Sequence, residues 1–314
     1  MAKIQPAVTR LWFHINPGNN YNYLDISAAV SAANRRFYRQ GMSWAVAGMS
    51  LHTADGTTGD FDVSKVPDTW MAQQAYKKSK MLWMKSQDQV LEDQPTVAAR
   101  YRDFKVYLDN DMTSTFQAVD SENGATDTVN LLPVDRIDQI AKPGEWIYSE
   151  LQIPVDGGSS DPLQRNFMFV GNDTGSLLGM IHGYGLSRTR PNSIDPNTPA
   201  AGGWMNQVFD VADNLGEIRQ DISDNNDVPP YRIGSEVDPE EYYPGGKNNQ
   251  TEAALHAVGF VTGSTVGGKT RIEGGVFHCG LIRFDWNLTN GGDSMHLAVD
   301  LVPGPSKGYL TEAY

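Results

Sequence analysis

Short runs of hydrophobic and polar residues alternate along the chain and are separated by glycine and proline. In residues 103–108, Phe104, Val106 and Leu108 alternate with more polar neighbours, which is the period of a strand with one buried face. Comparable runs rich in β-branched and aromatic residues occupy 43–52, 60–66, 145–155, 166–170, 177–186, 276–286 and 296–302, with another at 257–263. The pattern predicts eight strands, a candidate ninth, and an antiparallel sandwich or barrel.

Two segments have a helical period instead. Residues 68–93 contain neither glycine nor proline, and at about 100° per residue their apolar side chains share one arc. That arc consists of Met71, Ala72, Ala75, Tyr76, Leu82, Trp83 and Val90, with lysines opposite. The sequence therefore predicts an inserted amphipathic helix over 68–93. A shorter helix is predicted within the N-terminal segment 1–42, between a cap at Asp25 or Ser27 and Arg39.

Residues 187–256 form a long, polar, turn-rich stretch. Such a stretch within a compact domain is typically functional surface or partner contact. Its aromatic side chains favour subunit contacts, because interface hot spots are enriched in Trp and Tyr, although packing within their own subunit is an equal alternative. The sequence predicts a surface or interface insertion here, with its anchors at Trp204, Phe209, Tyr231, Tyr242 and Tyr243.

Composition restricts the class of protein. The chain has 314 residues, 39% hydrophobic and 20% charged, which indicates a folded domain that we assign to 1–314 as one unit. No apolar run reaches the roughly 20 residues of a membrane span, and the N-terminus has no apolar secretion signal. Residues 1–105 have a net charge of +4 and residues 106–314 one of −17. This acidic total makes the chain a poor general nucleic-acid binder but allows one mildly basic and one acidic face.

Candidate chemistry is sparse. The six histidines are never spaced i,i+2 or i,i+4, and no hydrolase or phosphate-loop motif occurs, so we predict no enzyme activity and no histidine metal centre. Asp221, Asp224 and Asp227 offer hard oxygen ligands that suit calcium, although EF-hand spacing is missing and a solvated acidic loop is the alternative. Cys279 is a single cysteine, which excludes an internal disulfide.

One cluster of cations is interleaved with aromatic residues. Arg35, Arg36 and Arg39 flank Phe37 and Tyr38. Arginine binds phosphate and aromatic rings stack on bases, so these arginines are the predicted nucleic-acid contacts. The polar end of a helix that turns into a strand is the alternative interpretation.

Several short sequence motifs resemble those of a known protein family. They are the strings at 34–41, 67–70, 100–108, 144–148, 226–231, 243–246 and 296–304. Together they resemble the capsid proteins of small circular single-stranded DNA viruses known from environmental genomes. The resemblance implies a single eight-stranded viral jelly roll with an inserted helix and long loops; a double jelly roll is the alternative.

The same resemblance implies a function. Copies of the chain would self-assemble into the icosahedral shell of a virion around a genome, expected to be single-stranded DNA, and a host receptor is a further expected partner. Many such proteins begin with an Arg/Lys-rich arm, which this chain lacks. Genome contact is therefore expected to be weak, or to depend on another protein or a lipid layer.

Two other classes remain open at this point. A β-sandwich carbohydrate- or receptor-binding protein would use the aromatic and acidic loops with calcium. A glycosidase would need two carboxylates facing a bound sugar, and no pair stands out from the sequence.

Overall fold

The computed structural model describes residues 6–15, 20–92, 96, 102–112, 129–134, 146–153, 163–187, 252–265, 268–289 and 295–314. Within them lie the helices α1 (Ile26–Asn34), α2 (Trp70–Glu92) and α3 (Met180–Leu186). The strands are β1 (Arg10–Ile15), β2 (Tyr21–Asp25), β3 (Met42–His52), β4 (Thr58–Lys65), β5 (Asn130–Leu131), β6 (Glu150–Ile153), β7 (Leu163–Met168), β8 (Leu177–Gly179), β9 (Ala254–Val261), β10 (Lys269–His278), β11 (Leu281–Thr289), β12 (Met295–Leu301), β13 (Pro303–Gly304), β14 (Gly308–Tyr309) and β15 (Thr311–Ala313). Across these ranges, no helix combines the length and apolar character of a membrane span.

Eight long strands form two antiparallel sheets. Sheet A has the order β1-β12-β3-β10, and β15 pairs with the first residues of β3. Sheet B has the order β2-β11-β4-β9, with the short β5 parallel to β2. The first four long strands pair with the last four: β1 with β12, β2 with β11, β3 with β10 and β4 with β9. The protein is an all-β sandwich, as the hydrophobic pattern predicted.

The main core lies between the two sheets and follows from the two-residue period of the strands. On β11, Phe284 and Trp286 are buried whereas Arg283 and Asp285 point outward. Phe61 of β4 packs against Phe284 with ring centroids 5.6 Å apart. Sheet A contributes Leu11, Phe13, Ile15, Met49, Leu51, Leu297 and Val299 to the same cluster.

A second hydrophobic cluster is built by the crossover between β4 and β9. Tyr76 stacks there on Phe169 at 5.7 Å. Helix α2 contributes to the cluster these members of the predicted apolar arc: Met71, Ala72, Ala75, Tyr76 and Trp83. The helix spans Trp70–Glu92, inside the range predicted for it. Leu82 was wrongly placed on the buried arc, since its side chain is 54% exposed.

Four predicted strands differ in the structure. Of residues 145–155, only β6 is a strand among the described ones. Residues 103–108 are extended but do not form a regular strand; they have one isolated bridge, at Tyr107. Both faces of the segment are covered, and the Gln40 side chain occupies the backbone N–H and C=O of Val106 that a neighbouring strand would use. The prediction for 177–186 is a strand only in β8, after which the chain enters α3. The run 276–286 is two strands, since Cys279 and Gly280 form a turn with φ of 55° and 69°.

The N-terminal segment 1–42 contains more than the predicted short helix. Helix α1 is present, and β1 and β2 precede it and enter sheets A and B respectively. Of the predicted insertion 187–256, residues 188–251 lie outside the described part of the chain, and β9 begins within its last residues.

Candidate nucleic-acid interface

Helix α1, which carries the predicted arginines at its end, begins at a buried carboxylate. Asp25 accepts hydrogen bonds from the Ala28 backbone N–H at 3.1 Å and from Gln40 Nε2 at 2.9 Å. Gln40 also binds both backbone atoms of Val106, at 2.6 and 3.0 Å. Burial raises the pKa of Asp25 to about 7, although its hydrogen bonds act in the opposite direction. These hydrogen bonds connect the start of α1 to Gln40, and they therefore fix the path of the chain between the end of the helix and that residue.

The chain turns sharply at the end of α1. Arg35 has a left-handed backbone, with φ 51° and ψ 39°, and its N–H donates to the carbonyl of Ser31. The Arg36 N–H donates to the same carbonyl at 3.2 Å, and the Tyr38 N–H donates to Ser31 Oγ at 3.0 Å. One serine therefore organises the turn that presents the arginines.

After the turn, buried and exposed residues separate cleanly. Residues 35–37 and Arg39 are exposed, whereas Tyr38 and Gln40 are buried. Lys307 joins them from the far end of the sequence, since its Nζ donates to the Phe37 carbonyl at 3.0 Å. We call Arg35, Arg36, Phe37, Arg39 and Lys307 the arginine corner. Among the described residues, Arg35 and Arg39 have no carboxylate partner.

An aromatic ring lies at the centre of this corner. Phe37 is 48% exposed, and its other side rests near Trp146 with ring centroids 6.2 Å apart. Lys105 Nζ lies 5.4 Å from the Phe37 ring and 4.7 Å from the Trp146 ring. Because Lys105 is buried and paired with Asp103 at 2.8 Å, it supports the aromatic rings rather than binding a ligand.

The corner offers guanidinium groups for phosphates and an exposed ring for a base, which is the chemistry of single-strand binding. The structure exposes all three predicted arginines within five residues of the chain. Sequence analysis missed Lys307, Trp146 and Lys105, because no local spacing connects these distant segments to the helix.

The remaining predicted site residues lie between 188 and 251, outside the described residues. They are the interface anchors Trp204, Phe209, Tyr231, Tyr242 and Tyr243 and the calcium candidates Asp221, Asp224 and Asp227. Their assignments stay predictions. In the described ranges, no three His, Cys, Asp or Glu side chains are grouped so that they could hold a metal ion.

A groove of about 560 Å³ lies between the start of α2 and the end of β10. It is lined by Lys65, Asp68, Thr69, Trp70, Gln73, Val276, His278 and Tyr314. A chain of polar contacts passes through it: His278 Nδ1 is 2.8 Å from Ser43 Oγ, and Nε2 is 2.9 Å from Asp68. Lys65 Nζ pairs with the same carboxylate at 2.5 Å. Burial lowers the pKa of His278, and Asp68 acts against that effect.

The order hydroxyl, imidazole, carboxylate is that of a nucleophilic triad, but the surroundings do not suit one. Ser43 is not part of the groove lining, whereas a nucleophile must reach a bound substrate. Tyr314 stacks on the imidazole of His278 at 4.4 Å, and Lys65 neutralises the carboxylate. Among the described residues that line the groove, only Asp68 carries a carboxylate, one fewer than a glycosidase uses. The contacts therefore fasten α2 to sheet A.

A row of exposed apolar side chains follows β9, at the edge of sheet B. Leu255, Val258 and Phe260 are 61%, 52% and 69% exposed. The register places Phe260 beside Asp60 and Val258 beside Asp62 of β4. We call Leu255, Val258 and Phe260 the apolar row. Exposed apolar patches of this kind mark protein–protein contacts.

Comparison of the chain with protein-family models, with curated proteins and with solved structures found no match. The functional interpretation therefore depends on the strand connectivity and on the surfaces described above.

Proposed function

We propose that this chain is a capsid subunit, a single eight-stranded jelly roll that self-assembles into an icosahedral virion shell around a single-stranded DNA genome. The pairing of the long strands carries the proposal. A jelly roll is a long antiparallel hairpin, with first paired to last and so on inward, rolled so that its strands alternate between two sheets. The pairs β1–β12, β2–β11, β3–β10 and β4–β9 fit the hairpin, and β12–β3 and β11–β4 fit the closure of the roll.

The connectivity of the strands favours a single roll over a double one. Of the fifteen described strands, one nested set of eight makes up sheets A and B apart from the short β5 and β15. The remaining strands form the three-stranded sheet β6-β7-β8 and the pair β13-β14, so the described residues contain no second nested set of eight. Helix α2 and the second hydrophobic cluster belong to the crossover between β4 and β9, which would be the loop insertion of such a subunit.

Self-association is supported by the apolar row. A monomeric protein rarely exposes several neighbouring large apolar side chains, because their contact with water costs about 25 cal/mol per Å². The row lies on an edge strand, where a neighbouring subunit can also contact the sheet margin. Heterologous contacts of this kind close into rings and shells.

Genome contact is supported by the arginine corner. Its three arginines and Lys307 concentrate positive charge on a chain whose net charge is −13. Four cations give a modest electrostatic affinity that falls as salt rises, which suits a genome held weakly by each of many subunits.

Electron microscopy of the purified chain tests the proposal. We expect uniform spherical particles, with light scattering showing a large assembly at some salt concentration. A chain that stays monomeric at every salt concentration contradicts the proposal. A small discrete oligomer that binds glycans only with calcium would instead indicate the carbohydrate- or receptor-binding class.

A pair of variants connects assembly to the apolar row. We expect Phe260→Gln to prevent particle formation while leaving the melting temperature of the subunit nearly unchanged, since the side chain is exposed and a neutral replacement adds no repulsion with Asp60. Phe260→Tyr is the matched control, because it keeps the ring in place and is expected to assemble. Equal assembly of both variants would show that the row is not a subunit contact.

A further inference from the structure

The outer face of sheet A gathers three histidines that are far apart in sequence. The strand register places His14 beside His296, His296 beside His52, and His52 beside Lys269. Along each strand the neighbours of these residues are buried in the sandwich core, so the pleat directs the row outward. The His14 and His296 rings touch edge to face, with centroids 5.1 Å apart.

A tryptophan lies on the same face, in the row of paired residues next to the histidines. Trp12 is level with Ala298 of β12, Ser50 of β3 and Arg271 of β10. Its ring is 5.1 Å from that of His52, although β12 separates the two strands. Strands are about 4.8 Å apart, so the indole reaches across β12, where Ala298 is only 2% exposed. The half-buried indole forms a platform on the sheet.

The charged groups of this face are mostly cations. Arg10 is paired with Asp300 at 2.5 and 2.7 Å, while Lys269, Arg271 and Glu273 are exposed. Around the histidine row, these five described residues leave one positive charge in excess while the imidazoles are neutral, and protonation of the three histidines raises the excess to four. Glu312 and His278 lie at the opposite end of the sheet, beside Ser43.

We infer that the outer face of sheet A is a second contact for single-stranded DNA, and that it binds more tightly as pH falls. This inference rests on the proposed function, since it assigns a surface to the genome that the shell encloses. The Trp12 indole stacks on a base, Lys269 and Arg271 hold phosphates, and the histidine row adds positive charge once protonated.

Electrostatics gives the sign of the pH dependence. Burial lowers the pKa of His52, and Lys269, His296 and Arg10 lower it further because they are cationic or become so. A phosphate bound beside His52 offsets this repulsion and favours the protonated ring. Binding therefore takes up protons, and by linkage the affinity rises as pH falls through the range in which histidine titrates.

The outer face of sheet B shows why the inference applies to one sheet only. Asp60, Asp62 and Asp285 point outward there, and Arg283 is already surrounded by carboxylates. The charged carboxylates of this face would repel a DNA strand.

Fluorescence anisotropy with a labelled 20-mer of thymidylate tests the inference on the full chain. At about 0.1 M salt we expect the dissociation constant to be at least about tenfold lower at pH 5.5 than at pH 7.5. The triple variant His14→Gln, His52→Gln, His296→Gln is expected to lose this difference and to keep the affinity at pH 7.5. If its melting temperature shows that it fails to fold, His52→Gln alone is expected to reduce the difference.

Charge-neutralising variants locate the binding surface. Lys269→Gln with Arg271→Gln is expected to weaken binding about tenfold at both pH values. Lys77→Gln with Lys85→Gln, on the exposed face of α2, removes the same charge and is expected to change binding less than twofold. Binding without pH dependence, or an equal loss in both double variants, overturns the inference.

The inference and the proposed function fail separately. One outcome is that electron microscopy shows shells, while DNA binding changes neither with pH nor in the sheet A variants. That outcome would support the capsid proposal and overturn the second DNA contact. A monomeric chain that binds thymidylate through Trp12 and the histidine row in acid would do the reverse.

Discussion

The outer faces of the two sheets use their cations in opposite ways. On sheet B, Arg283 is 22% exposed and contacts Asp285, Asp109 and Asp111 at 2.8 to 3.0 Å, with the Tyr23 hydroxyl at 2.7 Å. On sheet A, Lys269 and Arg271 are exposed, and neither has a carboxylate partner among the described residues. A cation enclosed by acids stabilises the fold, whereas an exposed one is available to a ligand. Counting charges along a sequence does not distinguish the two.

The largest expected effect comes from removing the enclosed cation. Arg283→Met leaves three carboxylates without their shared partner, and we expect the free energy of unfolding to fall by about 3 kcal/mol in urea denaturation. Arg271→Met on sheet A is the matched control and is expected to change stability by less than about 0.5 kcal/mol. Similar losses in both variants would remove the distinction between the faces.

Asp25 makes its own contribution to the pH dependence of stability, which must be separated from that of the histidines on sheet A. Folding raises the pKa of Asp25 from 3.8 to about 7. Stability from this group is complete below about pH 4 and is lost as pH rises through 7, with a slope of at most about 1.4 kcal/mol per pH unit. We expect Asp25→Asn to abolish that slope in urea denaturation between pH 5 and pH 8. A slope that persists unchanged would assign the titration to another group.

A smaller effect is expected for the ion pair of sheet A. Arg10 and Asp300 form a bidentate pair, but the Arg10 side chain is 53% exposed. Arg10→Ala should therefore lower the free energy of unfolding only slightly in low salt, and by less still in 1 M salt. A loss as large as that of Arg283→Met would mean that exposure does not decide the role of these cations.

The smallest expected effect is the titration of His52 without DNA. Because folding lowers the pKa of His52, the unfolded chain takes up the proton first, and stability declines as pH falls below about 6.5. In the Asp25→Asn background, we expect His52→Gln to reduce this decline in melting temperature between pH 7 and pH 5. An unchanged decline would place the titrating group elsewhere, for example at His278.

The local hydrophobic period predicted the helix and strands that bury one face and expose the other. Helix α2 and strands β3, β4, β9 and β12 follow from it, because each buries one regular face. Residues 103–108 alternate equally well, yet they are covered on both faces. Their backbone bonds to Phe167 and Phe169 at Tyr107 and to the Gln40 side chain at Val106, rather than in a continuous ladder. Tertiary contacts override the pattern there.

The surfaces were less predictable than the elements. The arginine corner was found because Arg35, Arg36 and Arg39 are adjacent in sequence. The histidine row was not found, since its residues meet only through the register of strands at opposite ends of the chain. A spacing rule searches within one element and cannot detect such a site.

The strand connectivity also constrains how the protein is made. Within the described part of the chain, each of β1 to β4 forms its long ladders with strands that lie after residue 253. During translation, the first four long strands leave the ribosome before those partners exist, so the sandwich closes only when synthesis is nearly complete. Until then their apolar faces are open to aggregation or to a chaperone, and premature termination anywhere in the crossover yields a chain without either main sheet.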